Sequence, residues 1–163
     1  MNNRKFWMTT CSAWLIFIGI DFLFHASILE SLWKEEIAAF KPQIDLFLLI
    51  PIGYLSFLLL TILVGYVFSR IFMDKPSLKE AAMFGLTFGL LYAIGNMLAL
   101  YSFVNIPVTQ LVVFHLIYII EIWAVVYIFY LSKSGWSNKK LLGRAFMFFF
   151  GSVVLGIVIQ NLI

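Results

Sequence analysis

Five polar side chains interrupt long apolar stretches of this sequence and are the residues best able to do chemistry there: Asp21, His25, Asn96, His115 and Glu121. In the run IGIDFLFHASIL, Asp21 and His25 are four residues apart, so they share one face of a helix and can form a hydrogen bond or an ion pair. His115 and Glu121 are six residues apart and differ by about 120° around a helix. They cannot share one narrow face, but they can border one cavity.

Several roles are open to these side chains. The simplest is structural, as interhelical hydrogen bonds worth about 0.6 to 2 kcal/mol each. Because an ionised carboxylate is costly in lipid, Asp21 and His25 could instead exchange a proton, and with His115 they could form a relay for protons or a small solute. The same three residues are candidate metal ligands, since imidazole and carboxylate suit Zn or Fe, with Glu121 as a weaker candidate. A haem would need His25 and His115 to face each other, although their expected depths differ by about one turn. Because the structural role needs no bound group, the sequence requires no cofactor.

The composition is that of a protein embedded in a lipid bilayer. Of the 163 residues, 63% are hydrophobic and 12% charged, and the mean hydropathy is +1.02. The net charge of +3 is not gathered in a basic patch with polar surroundings, which argues against a nucleic-acid partner. Metalloprotease, serine-hydrolase, P-loop and dinucleotide motifs are absent, so we expect no catalytic residues. The single Cys11 is expected to act as a small packing residue.

The sequence predicts an all-α membrane helix bundle that forms a single domain, residues 1–163. Stretches of about 20 apolar residues predict membrane helices, and five occur: 6–29, 46–69, 81–103, 108–131 and 145–163. The fifth is short, so a re-entrant or surface helix is the alternative, which would leave four transmembrane helices. Ser77 and Glu80 predict a capping box at the start of the third. The run ILESLWKEEIAAF, with apolar residues at helical spacing, predicts a short amphipathic helix between the first two.

Basic residues in the connections predict the orientation. Nine of the eleven Lys and Arg residues lie in the N-terminal tail and in the second and fourth loops. By the positive-inside rule, the N-terminus is cytoplasmic and, with five spans, the C-terminus lies outside a bacterial cytoplasmic (inner) membrane. The amphipathic helix then falls on the outer face.

The helical rise predicts how deep the five polar residues lie. At about 1.5 Å per residue, counted from the outer ends of the spans, Asp21 and His115 lie about 12 Å deep. His25 and Asn96 lie nearer the outer surface, whereas Glu121 lies about 20 Å deep, past the midplane. We therefore expect a polar pocket in the outer half of the bilayer.

Small residues predict where helices pack, because lipid-embedded helices associate through close backbone approach. Two pairs have the required spacing of four: Gly85 with Gly89, and Ser152 with Gly156. Packing within one chain is the default interpretation, and contact with a second copy in a homodimer is the alternative.

The segments DFLFHASIL, LWKEE, IGYLSFLLLTILVGYVFSR, GLTFGLLYAI and EIWAVVYIFY resemble a family of small, uncharacterised bacterial integral membrane proteins, a domain of unknown function with typically four transmembrane helices. The resemblance covers about residues 18–130 and implies a membrane location but no activity. The fifth span departs from that pattern and would suit docking to a larger complex.

Two function classes follow. The favoured one is a non-catalytic subunit or scaffold of a membrane complex, because the polar residues are few and the loops are short. The alternative is a small transporter or channel whose outer-half polar pocket binds a proton, a metal or a small solute. The expected partners are the lipid bilayer and either another membrane protein or a second copy of the chain.

Overall fold

Helices joined by short connections make up the fold. The computed structural model describes residues 1–33 and 43–162. The helices are α1 (Asn3–Leu23), α2 (Glu30–Trp33), α3 (Gln43–Ile71), α4 (Leu78–Phe103), α5 (Val108–Lys133) and α6 (Asn138–Gln160), and a π-helical turn at Phe24–Ile28 continues α1. Five of them, namely α1 with its π-helical turn, α3, α4, α5 and α6, are long and apolar enough to cross a membrane. The predicted all-α bundle of five membrane helices is confirmed.

Four of the five membrane helices begin earlier than the hydropathy of the sequence predicts, whereas α5 begins at Val108 as predicted. The last one begins at Asn138 rather than at residue 145, directly after Ser137, whose hydroxyl accepts a hydrogen bond from the backbone N–H of Lys140 at 3.3 Å. The third begins at Leu78, and the predicted capping box of Ser77 and Glu80 is confirmed. Charged residues mark the edge of the apolar run but not of the helix, because long basic side chains extend from a helix end to the headgroups.

The chain between α1 and α3 is described only in part, and α3 itself contains a proline. The amphipathic helix expected over residues 29–40 is described only as α2, and residues 34–42 lie outside the described residues. Pro51 lies within α3, and the helix continues through it.

The helices α1 and α5 form the centre of the bundle. α5 packs against α1, α3 and α4, whereas α1 packs against α3, α5 and α6. The membrane-spanning windows of α1 and α5 are 39% and 44% buried, compared with 17% in both α4 and α6. Polar residues on the central pair are therefore the best shielded from lipid.

Small residues bring the flanking helices close to this pair. A Cβ atom at Gly89 of α4 would lie 3.3 Å from the Cα atom of Ile119 of α5, and one at Gly85 would lie 3.2 Å from Trp123. On the other flank, Gly156 of α6 lies against Ser27 in the π-helical turn, and Ser152 is buried on the same helix. Both predicted small-residue pairs thus lie where α4 and α6 pack within one chain.

A candidate cation site between α1 and α5

Hydrogen bonds at both ends of the bundle fix how α1 lies along α5. At one end the hydroxyl oxygens of Thr9 and Ser132 are 2.9 Å apart, and both residues are fully buried. At the other end the side-chain amide of Gln110 donates to the carbonyl oxygen of Leu32, at 2.7 Å. We call these contacts the two end latches. The first joins α1 to α5, and the second joins α2, which follows the π-helical turn of α1, to α5. Together they set the antiparallel register of this part of the chain along α5.

This register brings Asp21 and Glu121 to the same level. Asp21 is eleven residues before Leu32, and Glu121 is eleven residues after Gln110. At about 1.5 Å per residue, both lie about 16 Å from that latch. Counting from the predicted span ends places Glu121 about 8 Å deeper than Asp21, whereas in the structure a carboxylate oxygen of each lies within 4.8 Å of the other.

Three ionisable side chains meet at this level. One carboxylate oxygen from each of Asp21 and Glu121 and one ring nitrogen of His25 lie within 4.8 Å of one another. The Nε2 atom of His25 and the Oδ1 atom of Asp21 are 3.9 Å apart. Asp21 and His25 remain 17% and 16% exposed, whereas Glu121 is only 1% exposed. We call these three residues the intramembrane cluster.

The three side chains of the cluster lie close together but do not form hydrogen bonds with one another. Oε1 of Glu121 is buried and has no hydrogen-bond partner in the described part of the chain. The 3.9 Å between His25 and Asp21 is an ion-pair distance but too long for a hydrogen bond. Because a buried polar atom without a partner costs free energy, the arrangement favours a further positively charged or hydrogen-bonding group between the three side chains.

A π-helical turn carries His25. The backbone N–H of Leu29 donates to the carbonyl oxygen of Phe24 at 2.8 Å, which closes the wider ring of a π-helix. Gln160, at the end of α6, donates its side-chain amide to the carbonyl oxygen of Ala26 and so ties this turn to the flanking helix. Such turns occur mostly as single insertions in α-helices and often at functional sites. Here the turn sets the direction in which His25 leaves α1.

Aromatic rings surround the cluster. Phe17 and Phe57 are stacked with centroids 4.5 Å apart, and Tyr118 meets both edge-on at 6.4 and 6.2 Å. The ring of Phe114 lies 4.9 Å from that of His25. These walls keep the local dielectric constant low, which strengthens the attraction between the carboxylates and any cation that enters.

The structure brings together three of the five predicted pocket residues, Asp21, His25 and Glu121. His115 is buried, its Nδ1 atom lies 2.6 Å from the carbonyl oxygen of Leu111, and it is not part of the cluster. Glu121, the weaker candidate, stands with Asp21 and His25 in its place. The physical reason is the helical angle of about 120° between His115 and Glu121, which lets only one of them point to the Asp21 face. The haem alternative, which needs His25 and His115 as a facing pair, gains no support from this arrangement.

Asn96 of α4 and Gln110 of α5 are two further polar residues of the membrane helices. Asn96 is half-buried on α4, and its side chain makes no hydrogen bond within residues 1–33 and 43–162. Gln110, which the sequence predictions do not include, is 4% exposed and forms one of the end latches. Gln110 could have been identified from the sequence, because it is an amide side chain near the start of an otherwise apolar helix.

The fold and the cluster define a class, the polytopic integral membrane proteins with a buried ionisable site. No protein family model matches the chain, and no curated protein or solved structure is significantly similar to it. The resemblance to the four-span bacterial family therefore stays a prediction.

Proposed function

We propose that this protein is a small membrane transporter or channel that binds a cation, either protons or a metal ion, at the intramembrane cluster. The observation that carries this proposal is the buried carboxylate of Glu121: one of its oxygens lies within 4.8 Å of donor atoms of Asp21 and His25, and its Oε1 atom has no partner in the described part of the chain. Ionisable side chains within a membrane commonly mark ion pathways and proton relays.

The contrast with the end latches favours this function over a scaffold. Structural polar residues between membrane helices form direct hydrogen bonds, as Thr9 does with Ser132 and Gln110 does with Leu32. Glu121 lies on the same helix pair but lacks such a bond. A side chain that served only to join the helices would have one, so we assign the joining role to the latches and the binding role to the cluster.

Charge balance supports a cation as the bound species. An ionised carboxylate at the centre of a membrane costs at least about 2.5 kcal/mol, and the cluster contains two. Two protons, or one divalent cation, would neutralise both. A bound anion would add to the negative charge of the two carboxylates, and a neutral solute would leave that charge uncompensated.

Ion flux in proteoliposomes tests the proposal. We expect the purified chain to carry protons or a divalent metal, reported by entrapped pH-sensitive and metal-sensitive dyes. Glu121→Gln and Asp21→Asn keep side-chain size but remove the charge, and we expect both to reduce flux to the level of empty liposomes. Gly53→Ala, at a position where an added Cβ atom would have no neighbouring atom of the described residues within 4 Å, should leave flux unchanged.

Flux that persists in both charge variants, with only a loss of stability, would reject the pathway. The cluster would then be structural, and a stoichiometric membrane protein that co-purifies with the chain would support the subunit or scaffold function instead.

We also propose that the N-terminus lies on the cytoplasmic side of a bacterial inner membrane. The support is the excess of Lys and Arg in the N-terminal tail and in the second and fourth connections. An odd number of spans then places the C-terminal end of α6 on the opposite side.

A further inference from the structure

We infer that the cation of the intramembrane cluster is a divalent first-row transition metal ion, bound by His25 and by one carboxylate oxygen each from Asp21 and Glu121. This inference rests on the proposed function and narrows it from cations in general to one chemical class. It differs from the metal set that the sequence predicts, because Glu121 replaces His115.

The spacing of the donor atoms fits a small ion after a modest contraction. With metal–ligand bonds of about 2.0 Å and tetrahedral angles, two ligand atoms are about 3.3 Å apart. The His25 and Asp21 atoms, at 3.9 Å, need to close by about 0.6 Å, and no pair in the cluster is more than 4.8 Å apart. Side-chain rotations of Asp21 and Glu121 are sufficient for this, since neither carboxylate is held by a hydrogen bond to another residue among 1–33 and 43–162.

The buried carboxylate is a second, independent reason to expect a ligand. Glu121 is 1% exposed, its Oε1 atom has no hydrogen-bond partner in the described residues, and one of its carboxylate oxygens lies within 4.8 Å of the donor atoms of the other two members. A divalent ion would complete the bonding of this oxygen. It would also bring the charge of two carboxylates, one neutral imidazole and the ion to zero, which suits an apolar surrounding.

The donor set selects the class of metal. Calcium takes six to eight oxygen ligands, many more than two carboxylates provide. Thiolate-preferring ions such as Cu(I) would need cysteine, and Cys11 is exposed and outside the cluster. One imidazole with two carboxylates suits Zn²⁺, Mn²⁺, Fe²⁺ or Co²⁺.

The number of protein ligands indicates an exchangeable site. Structural zinc sites have four protein ligands and are closed, whereas sites with three leave a position for water or another ligand. His25 and Asp21 also remain partly exposed, so the protein does not enclose the cluster on every side. A bound ion that can leave again is what a transport site requires.

Metal titration of the full chain in lipid nanodiscs tests the inference. We expect one Zn²⁺ per chain in competition with a chromogenic chelator, with proton release on binding because ligands must be deprotonated. Glu121→Gln, Asp21→Asn and His25→Ala should each weaken binding by more than about 100-fold, the upper range for loss of an outer-shell partner. His115→Ala, which removes the other histidine, should bind as the wild-type chain does.

Cobalt provides a direct view of the site. Co²⁺ bound by nitrogen and oxygen donors in a tetrahedral site has visible absorption bands that the hydrated ion lacks at that strength. We expect these bands in the wild-type chain and in His115→Ala, and their absence in Glu121→Gln. Circular dichroism and gel filtration of each variant establish that it is folded.

Two results would overturn the inference: a folded wild-type chain that binds none of Zn²⁺, Co²⁺ or Mn²⁺, or a loss of binding in His115→Ala equal to that in Glu121→Gln. Infrared difference spectra then separate it from the proposed function. If a carboxyl band that Glu121→Gln abolishes changes with pH, proton binding stands and the metal inference alone fails. If no such band is found, both fail.

Discussion

Replacing Gly65 of α3 with alanine would test how closely α3 packs against the central helix α5. A Cβ atom at this position would lie on the ring of Phe129, 2.6 Å from both Cε1 and Cε2. Real Cβ atoms essentially never lie closer than 3.0 Å to such neighbours, so the ring or the helix must move. Phe129 is 1% exposed, and the rings of Phe6 and Phe68 lie 5.9 and 6.4 Å away. The ring therefore has little room to turn.

Overpacking of a close-packed interior costs about 1 to 3 kcal/mol. Alanine regains up to about 1 kcal/mol over glycine within a helix. We therefore expect Gly65→Ala to lower the free energy of unfolding by about 1 to 2 kcal/mol. A Cβ atom at Gly53, on the same helix, would have no neighbouring atom of the described residues within 4 Å, so Gly53→Ala should leave the free energy unchanged or raise it slightly.

Reversible unfolding in mixed detergent micelles, followed by circular dichroism, measures both variants. The pair Gly65→Ala and Phe129→Leu completes a double-mutant cycle, because leucine lacks the ring atoms that meet the new methyl group. We expect the double variant to be at least about 1 kcal/mol more stable than the sum of the single changes, as for residues in contact. If the two changes are additive, or if Gly65→Ala is as stable as Gly53→Ala, the close contact of α3 with α5 is refuted.

Two other predictions concern the latch and the orientation. Thr9→Val and Ser132→Ala should show a coupling of about 0.6 kcal/mol, typical of hydrogen bonds between membrane helices, and additive losses in a double-mutant cycle would contradict the latch. In a Cys11→Ser background, a membrane-impermeant thiol reagent added to intact cells should label Asn105→Cys but not Lys139→Cys. The opposite labelling would reverse the proposed topology.

The fold could be predicted from the sequence because each membrane helix is a local feature. The length of an apolar run decides whether it can span the bilayer, and a short cap such as Ser77 with Glu80 decides where a helix begins. The errors lie at the ends, as at Asn138, where hydropathy stops at a charge but hydrogen bonding continues. That Gly85 and Gly89 lie where a neighbouring helix packs could also be predicted from the sequence, since small residues at that spacing favour helix contact. In the structure the neighbouring helix is α5.

The candidate site could not be predicted from any single helix, because it depends on how α1 and α5 lie relative to each other. The pair Asp21 and His25 is local, and its spacing of four was enough to predict that the two side chains share a face. Whether Glu121 or His115 joins them depends on the relative shift of α1 and α5 and on the rotation of α5. The shift is set by hydrogen bonds about 16 Å away, at Gln110. A difference of one helical turn in this register, about 5.4 Å, would separate Glu121 from Asp21 and leave the buried carboxylate alone, so the end latches maintain the geometry on which the proposed cation binding depends.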